Sequence, residues 1–414
     1  MDDLFLADPL TGSTVTYSEL ISDLNQGPHN IPMFCSYDHS YDIFKAYILA
    51  ILCHAKVTML DSDLSNHETE KLLADDQFKG HSELYSFQNP IVDKSDLIHR
   101  LRMRSEGCIG FFTSGTTGLP KRVSHQLSTL SRTVKCSARH AESIWGFAYN
   151  PSHIAGCQVF LQAAMNGCSI VNLFGLNPKD VVAALVKRNV SHISATPTFY
   201  RMLMPSPTPI TTVKRVTMGG ERIDLSLVEK LKEAFPLAKF LNVYASTEAG
   251  TILASEGEVF SIKKGLEELV RIDENQLMIH ASLLGQFQEL DSSSASEWYA
   301  TGDIVSIQSE EPLKFTIQHR ANELINVGGY NVNPSEIESI IRGIEGVIEV
   351  RVFAKKNSVL GNLICCDVVR SDCNLTEKAI RNDLSVHLQS FKVPRLVNFV
   401  EEIETTRTGK LKRS

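Results

Sequence analysis

The run Thr113-Ser114-Gly115-Thr116-Thr117-Gly118-Leu119-Pro120-Lys121 follows an apolar stretch, Cys108-Ile109-Gly110-Phe111-Phe112, that reads as a buried strand. A strand opening into hydroxyls, glycines and a lysine constrains the fold around it, because such a loop is built to meet phosphate. Glycine takes positive φ and lets the backbone come close. Successive N–H groups then form an anion nest, with hydroxyl donors and a cation beside it. The spacing is not that of a Walker A loop, which needs glycine, four residues, then Gly-Lys-Ser/Thr. Alone, the same composition also suits a surface loop, so its meaning rests on the rest of the chain.

The middle of the chain alternates strands and helices. Residues 181–187 are helical, 190–197 form a strand and its exit, and 215–220 form a strand ending in Gly219-Gly220. Residues 227–235 are helical, and the strand 239–243 runs into Tyr244-Ala245-Ser246-Thr247-Glu248. Earlier, 41–52 has helical apolar spacing and 56–61 reads as a strand. This alternation predicts layered α/β sheets with parallel strands. Ligands collect outside the carboxyl ends of such strands. The phosphate loop, Gly219-Gly220 and the Tyr244–Glu248 run therefore converge on one crevice.

A chain of 414 residues exceeds what one hydrophobic core supports, so two or more domains are expected. Past Arg320 the character changes. A helix starts at Pro334 and runs to about Arg342, strands follow at 347–354 and 363–369, and 377–389 is helical. We expect a core domain over 1–319 and a small α+β domain over 320–414.

The net charge of −7 argues against a nucleic-acid binder, which would carry a basic stripe. The nine cysteines include no Cys-x-x-Cys and read as small buried hydrophobes in a reducing compartment. The acidic start Met1-Asp2-Asp3-Leu4 lacks the basic region of a signal peptide. The longest apolar run, 46–53, is too short to span a bilayer. Cytoplasmic location is the expectation.

Further motifs follow in order: Tyr299-Ala300-Thr301-Gly302-Asp303, then Arg320 leading into 324–338, and finally Thr408-Gly409-Lys410-Leu411-Lys412-Arg413. With the first loop and the Tyr244–Glu248 run, the ordered set resembles the adenylate-forming superfamily: acyl- and aryl-CoA synthetases, peptide-synthetase adenylation domains and luciferases. The resemblance covers essentially the whole chain. It implies a large N-terminal domain of layered α/β sheets, trimmed at its N-terminus, and a small C-terminal lid.

By motif match, the resemblance implies that Thr113, Ser114, Thr116, Thr117 and Lys121 hold the β- and γ-phosphates of ATP, with Gly115 and Gly118 permitting the turn. Tyr244 would lie on the adenine. Thr247 would touch the α-phosphate, and Glu248 would hold Mg²⁺. Asp303 would accept from the ribose hydroxyls, Arg320 would add contacts to ribose and phosphate, and Lys410 would bridge the substrate carboxylate and the α-phosphate. Asn322 takes the hinge position, and Gly328 and Gly329 would flank a thiol tunnel. His153 would pack near the acyl site, whose walls are expected near His153, Gly219-Gly220-Glu221 and Ala245-Ser246. His125 reads as structural. Arg122, Ala245, His319 and Asn322 depart from the usual pattern, and Pro151 stands one residue too close to His153.

The implied activity is ATP- and Mg²⁺-dependent conversion of a small carboxylic acid to an acyl-adenylate, then transfer to a thiol, foremost that of coenzyme A. One alternative is a stand-alone enzyme loading the phosphopantetheine of a separate carrier protein, since no carrier segment follows the lysine motif. Another is a nucleotide-binding homologue without catalysis, which the departures motivate. The identity of the acid and the oligomeric state stay open.

Overall fold

The computed structural model describes residues 3–61, 64, 66–73, 81–104, 106–112, 121–204, 208–223, 225–262, 264–287, 297–327, 330–357 and 361–405. Among them the largest sheet has eight strands. Its spatial order is Gly250–Ser255, Lys239–Ser246, Arg215–Gly219, His192–Ala195, Ile144–Phe147, Ser169–Asn172, Leu4–Asp8 and Ser13–Thr16. The inner strands pair in parallel and the two outermost pair antiparallel. The layered α/β expectation therefore holds. Two details differ. Leu4–Asp8, not read as a strand, pairs with Ser169–Asn172 inside the sheet. The strand before the Tyr244 motif runs on through Ser246, so Tyr244 and Ala245 belong to the sheet itself.

A second sheet orders Gln286–Phe287, Arg122–Gln126, Cys108–Phe112, Lys56–Met59 and Phe34–Cys35. The helices Ser40–Leu52 and Ile154–Ala164 share one apolar cluster with strands of both sheets. A helix apolar on most of its faces has to be buried, and only Tyr41, Asp42 and Lys45 in the first turns of Ser40–Leu52 escape that burial. Phe44 stacks on Phe160 with ring centroids 4.8 Å apart and meets Phe147 edge-on at 4.9 Å. Such pairs add about 0.5–1.5 kcal/mol each beyond area burial.

The third sheet is antiparallel and orders Val259–Ser261, Leu313–Arg320, Trp298–Glu310, Gln276–His280 and Val270–Asp273. The chain then makes the short 3-10 turn Ala321–Glu323 and enters a separate apolar cluster built wholly from residues beyond it. Three strands, Val347–Asn357, Gly361–Arg370 and Leu396–Phe399, are packed by the helices Pro334–Arg342 and Glu377–His387. Asn333 caps the first of these helices through the Ser335 N–H, with Pro334 in its first turn.

This C-terminal unit touches the large sheet's side through ions. Arg201, in the helix Pro197–Met202, donates to Glu349 at 3.1 Å and lies 3.8 Å from Glu221. Arg342 donates to the other oxygen of Glu349 at 2.8 Å and lies 3.6 Å from Glu338. Burial opposes the charge of Glu349, but Arg342 and Arg201 outweigh it and hold the carboxyl below its ordinary value. Its contribution to stability is thus present above the ordinary glutamate value and is lost as pH falls below that value through the lowered one of the folded state. Removing Arg201 takes the cation from Glu221 and leaves Glu349 with Arg342 alone, so Arg201→Met is expected to cost about 3–5 kcal/mol. Glu349→Gln leaves each arginine a second carboxylate and is expected to cost less, about 1.5–3 kcal/mol. Urea unfolding of the two variants at neutral pH checks the order.

Candidate active site

Asp303 is 4% exposed and sits where the antiparallel sheet meets the large sheet. Its strand, Trp298–Glu310, pairs with Leu313–Arg320 so that Asp303 lies directly opposite Arg320. Residues paired this way have Cβ atoms about 4.5–5.5 Å apart, and the Arg320 Nε–H donates to Asp303 Oδ1 at 3.0 Å. The Tyr244 hydroxyl, from the large sheet, donates to Oδ2 at 2.5 Å. The Thr301 hydroxyl accepts from the Asp303 N–H and donates to the Leu277 carbonyl, which fixes the turn. Burial and the charge of Asp303 push the Tyr244 phenol well above its usual value, so it keeps its proton. Burial works against the charge of Arg320, but Asp303 and Tyr244 outweigh it. A carboxylate offers about four lone-pair positions, and these two donors leave room for ligand hydroxyls.

The segment after Tyr244 is held from behind by residues that the sequence reading did not assign to the site. The His125 Nε2–H donates to the Thr247 carbonyl at 2.7 Å. His125 is fully buried; burial lowers its pKa and keeps the ring neutral. Arg132 donates to the carbonyls of Ala249, Thr251 and Leu283. The Gly285 N–H donates to the Glu248 carbonyl at 2.8 Å. The backbone of 247–251 is thereby fixed, while the Glu248 carboxylate remains partly exposed. Tyr299 lies within electrostatic reach of Glu248, and burial followed by that charge pushes its phenol up to about 12.

Beside this cluster a cavity of about 280 Å³ lies between the large sheet and the helix Ile154–Ala164. His153, Gly219, Gly220, Ala245, Ser246 and Thr247 all line it. A Cβ on Gly219 would come within 2.5 Å of Val243, and one on Gly156 within 2.4 Å of the Asn150 carbonyl, so both positions need glycine for close approach. His153 lies 3.2 Å from Asp61, which also accepts from Asn150. Glu221, expected among the walls, instead accepts from the Thr198 N–H and hydroxyl and anchors the helix Pro197–Met202.

The remaining site expectations divide in two. Lys121 is exposed, one residue before the strand Arg122–Gln126. Asn322 is in the turn Ala321–Glu323 that links the antiparallel sheet to the C-terminal unit. Thr113, Ser114, Gly115, Thr116, Thr117 and Gly118 lie outside the described residues, as do Gly328, Gly329 and Lys410.

A tyrosine from a parallel strand of the large sheet, with a buried carboxylate and an arginine from antiparallel strands, sits beside a largely apolar cavity that the tyrosine's chain neighbours Val243 and Ala245 line, an arrangement that suits an α/β enzyme whose ligand has a polar head and an apolar body. The family model described as AMP-binding enzyme matches residues 46–268, and that of the AMP-binding enzyme C-terminal domain matches 336–410; the chain belongs to the AMP-binding enzyme family. It is 25% identical over 413 residues to the mitochondrial acyl-coenzyme A synthetase ACSM1 of Mus musculus, covering 89% of this chain and 71% of that one. It is 24% identical over 436 residues to a 2-succinylbenzoate–CoA ligase of Staphylococcus epidermidis, covering 96% and 89%. Its fold is similar to that of o-succinylbenzoate CoA synthetase from Bacillus subtilis in complex with its acyl-adenylate intermediate, with a TM-score of 0.71 at 17% identity over 99% of this chain and 94% of that one. Among the described residues no helix is long and apolar enough to cross a membrane.

The half-buried His192 and the buried His125 give a pH expectation. Burial and then Arg215 lower His192 from the usual 6.5 to about 4. The folded state holds it neutral where the unfolded chain would protonate it, so stability is full above the unfolded value and declines as pH falls from 6.5 toward 4. His125 adds to this with the same sign. Thermal unfolding across that range should show the decline, and His192→Gln should flatten it.

Proposed function

We propose that this chain is an AMP-forming acid–thiol ligase that uses ATP and Mg²⁺ to turn a carboxylic acid into an acyl-adenylate and passes the acyl group to coenzyme A. The observation that carries the reading is the Tyr244–Asp303–Arg320 cluster, whose tyrosine lies between the cavity-lining residues Val243 and Ala245, in a chain of this family. In the first step a substrate carboxylate oxygen attacks the α-phosphorus of ATP, and the bond to the pyrophosphate oxygen breaks. In the second, the thiol sulfur attacks the acyl carbonyl, its proton is lost, and AMP leaves.

Each chain residue has a task in this reading. Asp303 receives the ribose hydroxyls through its remaining lone pairs, and Arg320 stays beside it, charged. Thr247, its carbonyl tied to His125, faces the α-phosphate. The loop of Thr113, Ser114, Gly115, Thr116, Thr117, Gly118 and Lys121 holds the outer phosphates, and Lys410 supplies positive charge where the carboxylate meets phosphorus. Among the described residues no group of three or more His, Cys, Asp or Glu gathers to hold a metal. Glu248 as a lone carboxylate fits a magnesium ion whose other ligands are phosphate oxygens and water. Bound there, the metal would neutralise phosphate charge. Asn322 is the hinge of the division at 319/320, and Gly328 and Gly329 give the thiol its approach. A cytoplasmic location belongs to the same reading.

Pyrophosphate release with ATP, Mg²⁺ and a panel of acids, with and without coenzyme A, tests the reading. Turnover that rises with coenzyme A and yields a thioester is expected. Adenylate formation indifferent to coenzyme A would move the acceptor to a carrier-protein pantetheine. Lys410→Ala is expected to lower adenylate formation by about 10²–10³-fold, and Glu248→Gln to raise the magnesium concentration needed for half-maximal rate.

A further inference from the structure

The cavity runs back from the rim toward the amino ends of the strands. Arg215 and His192 are register partners there, and Trp145 is the partner of His192 on its other side. All three line the same cavity as Gly219, four residues further along the strand of Arg215. Four strand residues span about 13 Å. Lys135 lines this remote end too. Its backbone is pinned by Gln162 and Asn166, at the far end of the helix that His153 begins.

No aspartate or glutamate lines the cavity among the described residues. Neither the Arg215 guanidinium nor the Lys135 ammonium has a hydrogen bond or ion pair with a described residue. Between the two ends the apolar side chains of Val159, Leu241 and Ile252 alternate with the uncharged polar ones of Gln158, Ser194 and Thr217. Lys135 is exposed, but Arg215 is half-buried, and a cation held so beside apolar walls is costly unless something anionic answers it. The planar fork of arginine matches a carboxylate with two parallel hydrogen bonds.

We propose that the acid this enzyme takes is a dicarboxylate: one carboxylate reacts at the rim, an apolar body of about 10 Å fills the passage, and a second carboxylate is received by Arg215 and Lys135. The assignment of the reacting end rests on the ligase reading above. Binding and turnover separate the two. Hexanedioate, octanedioate and decanedioate are titrated calorimetrically against the full chain without ATP, beside the matching monoacids and the octanedioate monomethyl ester. Pyrophosphate release is then measured with ATP and Mg²⁺. At least one diacid is expected to bind about ten- to a hundredfold more tightly than its monoacid and monoester. Arg215→Gln should erase that ratio, and Arg215→Lys should keep most of it. Monoacids binding as well as diacids, no diacid binding at any length, or a ratio unchanged in Arg215→Gln overturns the proposal. A diacid preference in binding with no pyrophosphate from any acid leaves the proposal standing and overturns the ligase reading instead.

Discussion

A carboxylate as deeply buried as Asp303 is tolerable only while its donors stay in place, and those donors come from different layers of the molecule. Tyr244 arrives on a parallel strand of the large sheet, and Arg320 arrives on the neighbouring antiparallel strand at the threshold of the C-terminal unit. The interaction is therefore local in space and long-range in sequence. If the large sheet shifts against the third sheet, Asp303 loses a donor and its burial becomes a penalty of a few kcal/mol. The rim of the cavity inherits its geometry from that requirement. The His125 and Arg132 contacts extend it by fixing the backbone that follows Tyr244.

Much of this was legible in the sequence because it rests on local rules. Cys108–Phe112 is a strand with the bounds its apolar run suggests, and Pro334–Arg342 starts where an asparagine cap and a first-turn proline place it. The alternation between 181 and 243 announced a parallel sheet, and with it which strand ends would converge. What was hidden depends on partners. Leu4–Asp8 is a strand because Ser169–Asn172 offers it a parallel ladder, and its flanking acids gave no hint of burial. Tyr244 and Ala245 looked like loop because polar residues follow them, yet the pairing with Gly250–Ser255 carries the strand through Ser246.

The candidate site shows the same division. Motif residues such as Asp303 and Arg320 stood out because their neighbours are distinctive. His125 and Arg132 did not, since a lone histidine or arginine bonding a distant carbonyl leaves no pattern in the chain. Arg215 and Lys135 are ordinary surface cations in the sequence. Only the strand register and the anchoring of Lys135 on the helix Ile154–Ala164 bring them to one end of a cavity.

Arg201 carries a consequence of a different kind. It answers to Glu349 in the C-terminal unit and to Glu221 on its own side. Were the C-terminal unit to lift away, Arg201 would not be abandoned in a dry pocket, because Glu221 would remain to receive its charge. Glu349 would likewise depart in the company of Arg342. Each partner thus has a spare, and separation there would be an exchange of counter-ions rather than a rupture. Such a joint can be dry enough to set one orientation and still part without exposing an uncompensated ion.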